Sequence, residues 1–165
     1  MKAENGAILV IGLGNPILGD DGVGWHIVKA TESACQGKAQ LASATFELSS
    51  AGGLGLMEQM VGYRRAIIAD SVVTPTGKVG TIHSKPFDDF KDTAHSNSSH
   101  DATLRAALEI GRKMGLVLPT AIWAVAIEIA PTYDFSEKLT PAVAEAVPGA
   151  VDLIRIRLAE LSNLN

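Results

Sequence analysis

Asp20 and Asp21 stand side by side, Asp70 closes an apolar run, and His100 follows a pair of serines. These are the residues whose types suit metal or acid–base chemistry. Asp21, Asp70 and His100 together offer two carboxylates and one imidazole. That is a set of three ligands for a borderline divalent cation, with positions left open for water or substrate. An open set of this kind implies catalysis or recognition in place of a structural clip.

The surroundings of the first pair argue against a phosphate site. Ile8-Leu9-Val10-Ile11 is an apolar run of strand length, and Gly12-Leu13-Gly14 follows it as in a dinucleotide fingerprint. The third glycine of that fingerprint would fall at position 17, which is Ile. Asp20 and Asp21 occupy the helix start that a pyrophosphate would need, and two carboxylates there repel an anion. The same strand, turn and helix start reads better as half of a metal or cationic-group site. One Asp of the pair could equally cap the helix that follows.

Other chemistry-bearing residues stand apart from this set. His26 falls inside the first predicted helix and His83 at a strand end, and both read as ordinary polar residues. His95 lies in a long polar segment, near His100 in sequence. Cys35 has no recognisable His partner, which argues against a thiolate nucleophile. There is no Gly-x-Ser-x-Gly elbow and no His-Glu-x-x-His pair.

The elements that must position these residues alternate between strand and helix. Val23, Ile27, Val28, Ala30 and Ala34 give residues 22–36 one apolar helical face, ended by Gly37. Residues 41–48 read as a second strand. Ser49-Ser50-Ala51-Gly52-Gly53 is a small-residue loop, where a backbone could approach a ligand closely, before a short helix from Leu54 to Val61. Arg64 to Asp70 reads as a strand buried on both faces and ending in the carboxylate. Val79 to His83 is a further strand. Lys85 to Ser99 is polar and aperiodic, the longest loop expected, and Ser98 with Asp101 resembles a capping box for the next helix. His100 would then sit in the first turn of that helix, at the mouth of the site. Thr120 to Ile127 is a fifth strand. Thr140-Pro141 opens a last helix running to about Leu161, with a bend expected near Pro148-Gly149. The pattern predicts a three-layer α/β/α sandwich on a mostly parallel, about five-stranded sheet, with residues 1–165 as a single domain. In such a sheet, Asp21, Asp70 and His100 would gather along one edge.

Composition narrows the partners. The chain is 47% hydrophobic but only 5% aromatic, so the expected core is aliphatic. A net charge of −4 and the lack of a basic run argue against nucleic acid. A single cysteine excludes an internal disulfide and fits a reducing compartment. The apolar run from Ala7 to Leu13 is too short to span a membrane, and no signal pattern precedes it. The expectation is a cytoplasmic protein with no membrane partner.

Taken in order, Gly12-Leu13-Gly14-Asn15-Pro16, Gly19-Asp20-Asp21-Gly22-Val23-Gly24, Ile67-Ile68-Ala69-Asp70 and Ser99-His100 resemble the hydrogenase maturation endopeptidases. These trim a C-terminal extension from the large subunit of nickel-iron hydrogenases once nickel is inserted. The last strand and Leu139-Thr140-Pro141 also look like the family's. The resemblance implies that Asp21, Asp70 and His100 are the metal-contacting and catalytic residues, and that Gly14, Asn15, Gly52 and Gly53 lie against the substrate. It further implies a large-subunit precursor as partner. The metal would be nickel carried by that precursor, although another divalent cation could occupy the site in the isolated protein. The loop Glu47-Leu48-Ser49-Ser50-Ala51-Gly52-Gly53-Leu54 departs from the family's Gly-Gly-Thr run by lacking the Thr. Two other readings stay open at this point. Peptidyl-tRNA hydrolases share Gly-Leu-Gly-Asn-Pro, but their following His segment is replaced here by Asp20-Asp21-Gly22. A nickel sensor or chaperone that does not cut would need the same three ligands.

Overall fold

The expected alternation is present in the computed structural model of the chain, which describes residues 8–37, 44–92, 99–131 and 134–162; of these, the side chains of residues 91–92 and 99–103 are not described. The predicted His95 and Ser98 lie outside the described residues. Five strands, β1 (Ile8–Leu13), β2 (Ala44–Ser49), β3 (Arg65–Val72), β4 (Ile82–Pro86) and β5 (Ala121–Glu128), form one sheet in the order β2-β1-β3-β5-β4. The first four positions in that order pair in parallel, and β4 is an antiparallel edge on β5. Helices α1 (Val23–Cys35) and α4 (Pro141–Ser162) cover one face, while α2 (Gly53–Met60) and α3 (Ser99–Lys113) cover the other.

The alternation of side chains along a strand builds these two interfaces. From β1, Leu9, Ile11 and Leu13 point toward Leu56, Met60, Leu104 and Leu108 of α2 and α3. Ile8 and Val10 point the other way, toward Val23, Ile27, Ile154 and Leu158 of α1 and α4. The central strands are therefore apolar on both faces, as a sheet with helices on both sides requires. The core is aliphatic apart from Tyr63, Phe87 and Phe90 among the described residues.

Several expected boundaries are corrected. β3 does not stop at Asp70 but continues through Ser71 to Val72, because its pairing with β5 runs on to Val72 opposite Glu128. β4 is Ile82–Pro86, later than expected. Residues 79–80 instead form a turn tied to β5 by the Gly80 N–H on the Glu128 carbonyl (2.9 Å). The polar stretch after Lys85 is not all loop: Phe87–Asp92 is a 3-10 turn that buries Phe87 and Phe90 under the sheet's α2/α3 face. Pro148 lies inside α4.

Strand order makes the carboxyl ends of β1 and β3 a special place. The connection from β1 leads through α1 out to β2, whereas the chain returns through α2 on the opposite face to reach β3. The two strands are neighbours whose onward connections diverge. Such a switch point leaves a crevice at the carboxyl ends, where open α/β sheets bind ligands.

Candidate active site

The turn after β1 is built on close backbone approach. A Cβ on Gly12 would collide with the Gly24 carbonyl, so this glycine lets the start of α1 lie directly against β1. Gly14 has φ of 125°, a conformation L side chains rarely adopt, and a Cβ there would strike the Asp21 carbonyl. The glycines of this motif thus bring a 3-10 turn, Gly19–Gly22, back over the end of β1. No phosphate cradle is needed to explain them.

The two aspartates of that turn have separate roles. Neither caps α1 with its side chain. Asp20 is only 5% exposed, and its two oxygens accept the Thr140 N–H (2.7 Å) and hydroxyl (2.8 Å). It therefore serves the start of α4, supplying an anion where the helix dipole is positive and taking the N–H that a capping-box glutamate would otherwise take. Asp21 is half-buried and faces the crevice. Its Oδ2 accepts the Asn15 N–H (2.8 Å), and its Oδ1 accepts the Ser71 hydroxyl (3.4 Å). Both partners leave lone pairs on the carboxylate, which offers about four acceptor positions.

Ser71 also joins the second carboxylate, since its N–H donates to Asp70 Oδ1 (2.8 Å). Asp21, in the turn after β1, thus meets β3 at the residue following Asp70, near the carboxyl ends of the two neighbouring strands. α3 ends shortly before β5 begins at the amino edge of the sheet, so its first turn, which holds His100, lies at the carboxyl edge with them. The His100 side chain is outside the described residues. Among the described residues, no cluster of three or more His, Cys, Asp or Glu groups forms a metal-holding set.

The predicted substrate loop adjoins this turn. The Ser50 hydroxyl donates to the Gly14 carbonyl (2.9 Å), and the Trp25 indole N–H donates to the Ser49 carbonyl (3.2 Å). Gly52 precedes α2, and Gly53 opens it with φ of 54°. Gly14, Asn15, Gly52 and Gly53 therefore belong to two loops in contact. A second loop pins the motif from the far side, through the Gly19 N–H on the Ser136 carbonyl (2.6 Å) and the Ser136 N–H on the Ile17 carbonyl (2.9 Å).

Sequence reasoning missed Glu128. It is 1% exposed, accepts the Thr74 N–H (2.6 Å) and hydroxyl (3.0 Å) at Oε1, and pairs with His83 Nε2 (3.0 Å) at Oε2. The Thr74–Gly77 turn folds so tightly over it that a Cβ on Gly77 would collide with the carboxylate. His83, read as an ordinary polar residue, is thus the partner of a buried charge. The signal was a glutamate ending a strand that is otherwise wholly apolar. His26 is exposed on α1; partial burial and the Lys29 ammonium hold its pKa below the ordinary value.

The family model described as HycI, hydrogenase maturation protease, matches residues 46–156, well over half of the chain. The chain belongs to the hydrogenase maturation protease family. Members of this family are endopeptidases, so the protein is a peptide-bond hydrolase. Its structure is similar to the hydrogenase maturating endopeptidase HybD from E. coli, with a TM-score of 0.73 and 25% identity over 93% of each chain. It is also similar in fold to HybD from Thermococcus kodakarensis (TM-score 0.64, 21% identity, 93% of this chain and 99% of that one). HycI from Thermococcus kodakarensis KOD1 shares the fold at 14% identity (TM-score 0.66, 96% and 93% of the two chains). No curated protein matches the chain by sequence. Among the described residues of this protease, no helix is long and apolar enough to cross a membrane.

Proposed function

We propose that this protease removes the C-terminal extension of a nickel-iron hydrogenase large-subunit precursor after nickel insertion, and that Asp21, Asp70 and His100 contact the nickel the precursor carries. The observation that supports the reading is the contact of Asp21, in the turn after β1, with the hydroxyl of Ser71, the residue that follows Asp70 on β3. Oxygen and imidazole donors with open positions suit a metal that other ligands also hold. Nickel in the precursor would supply Lewis acidity for the scissile carbonyl or an attacking water. The chain's own groups orient the substrate. Gly14, Asn15, Gly52 and Gly53 present backbone close to the crevice, and the fixed Asn15 N–H and Ser71 hydroxyl hold the Asp21 carboxylate in one orientation. The site of action on this reading is the cytoplasm.

Intact-mass measurement of every nickel-iron hydrogenase large subunit tests this, in cells lacking the gene and in cells with it restored. One subunit should carry an extension only in the deletion strain. Restoring the Asp21→Asn variant should leave that extension in place. Normal trimming of all subunits without the gene would sink the reading.

A further inference from the structure

A groove opens on the α2/α3 face of the sheet, away from the crevice, between α3 and the 3-10 turn that follows β4. It holds about 240 Å³. An apolar cavity of about 150 Å³ takes a benzene ring, so this space suits a group the size of one amino acid. Its floor is apolar, made by Phe87, Leu108 and Ile122, and Ile122 stands about 13 Å along β5 from the Ala126 that pairs with Asp70. Its rim is charged, carrying Asp88, Arg105, Glu109 and Arg112. Arg105 is fixed in place: it donates to Asp88 Oδ1 (2.8 Å) and to the Phe87 carbonyl (2.8 Å), with its guanidinium 4.4 Å from the centre of the Phe87 ring. Glu109 pairs with Lys113 (2.8 Å). Each rim carboxylate therefore has its own cation. Arg112 donates from Nη2 to the Pro119 carbonyl (3.1 Å), and among the described residues no carboxylate pairs with it.

We propose that this groove is a second binding site, for a ligand that presents a single carboxylate on a short apolar body. Three features carry the assignment. The Arg112 guanidinium has five N–H donors in a fork that matches a carboxylate, and the Pro119 carbonyl takes only one of them. The floor of Phe87, Leu108 and Ile122 removes an apolar body from water without asking it for a hydrogen bond. Asp88 and Glu109 flank the groove, so a second negative charge on the ligand would meet repulsion, while a cation would meet the surplus charge of Arg112. This chemistry is common to a free apolar acid and to the last residue of a peptide chain. Neither Asp21 nor Asp70 lines the groove, so the site stands or falls separately from the cleavage reading.

NMR titration of the isotope-labelled full-length protein with N-acetylleucine tests this. The amide signals of Arg112, Thr120 and Ile122 should shift, and those of Asn15 and Ser71 in the crevice should stay in place. N-acetylleucinamide, which lacks the charge, should bind about 10- to 100-fold more weakly, the range lost with a charge-assisted hydrogen bond. Acetate, which lacks the apolar body, and N-acetylaspartate, which adds a second charge, should each also bind more weakly than N-acetylleucine. Arg112→Gln should erase the preference for acid over amide. A thermal melt establishes that this variant is folded, and the comparison of acid with amide on the wild-type protein decides the matter if it is not. Acetyl-Gly-Gly-Leu separates the two sources: affinity equal to or above that of N-acetylleucine assigns the site to peptide C-termini, lower affinity assigns it to a free acid, and either supports the site. Equal binding of acid and amide, shifts confined to the crevice, or no shift at Arg112, Thr120 and Ile122 with any of these probes would overturn it.

Discussion

Asp20 and Asp21 are chemically identical neighbours, and substituting them one at a time separates structure from chemistry. Asp20 is buried and makes two charge-assisted hydrogen bonds to Thr140. Bonds to a charged group contribute about 1.5–3 kcal/mol each and neutral ones about 1 kcal/mol. Asp20→Asn keeps the shape: its amide oxygen can still accept the Thr140 N–H, and its NH2 can donate to the hydroxyl. The loss is the charge assistance and the favourable placement at the α4 N-terminus, about 1–2 kcal/mol in all. Asp20→Ala removes both bonds. Thr140 is exposed, so water recovers part of the deficit, and the expected cost is about 3 kcal/mol. For a chain of this size each kcal/mol lowers Tm by about 2–4 °C, which gives roughly 5 °C for Asn and roughly 10 °C for Ala. Asp21→Asn should do the opposite. Its partners are one backbone N–H and one long hydroxyl contact, so Tm should move by no more than about 2 °C, while cleavage of nickel-loaded precursor falls at least about 100-fold. The assays are thermal unfolding and single-turnover cleavage, run well below the lowered Tm. Asp20→Asn with normal Tm and abolished cleavage would refute the assignment, as would Asp21→Asn with full activity.

Asp70→Asn and His100→Ala should each block precursor processing while thermal melts stay close to wild type, and full processing by both variants would dissolve the proposed constellation. Ser71→Ala loses only the hydroxyl contact to Asp21 and keeps the N–H to Asp70, so a loss in kcat/KM smaller than that of Asp21→Asn is expected in the same cleavage assay. Gly14→Ala forces a Cβ into the Asp21 carbonyl at φ of 125° and should cost more than about 2 kcal/mol in chemical denaturation, with cleavage lost as Asp21 moves. Glu128→Ala strips partners from Thr74 and His83 and should destabilise by about 3 kcal/mol, while Glu128→Gln costs less; urea unfolding measures both. Nickel-free precursor should resist cleavage, whereas treating the protease alone with a chelator and then removing the chelator should leave its activity toward loaded precursor unchanged.

The local pattern of residues determined a great deal. An apolar run, a glycine turn and a periodic helix are short-range features, so β1, α1, the doubly covered central strands and the three-layer class were all legible. The turn that carries Asp20 and Asp21 and the strand that carries Asp70 were legible too, because the residues that build each are contiguous. What only the tertiary structure decided depends on partners far away along the chain. Asp20 and Asp21 are indistinguishable locally, and they part company because one meets Thr140, 120 positions later, while the other meets Ser71. Glu128 became a buried acceptor only when the Thr74–Gly77 turn and His83 closed over it. β4 could not be placed as an antiparallel edge, because its half-buried residues carry no periodicity that distinguishes the two directions. A narrow recess beside Asp70, lined in part by Ala124 and Ala126 of β5 and by Phe87 and Phe90, likewise exists only because those segments meet. Hydrophobic periodicity records which face a residue buries, but hydrogen-bond partners and leftover space are set by which segments meet, and that is fixed only when the layers pack.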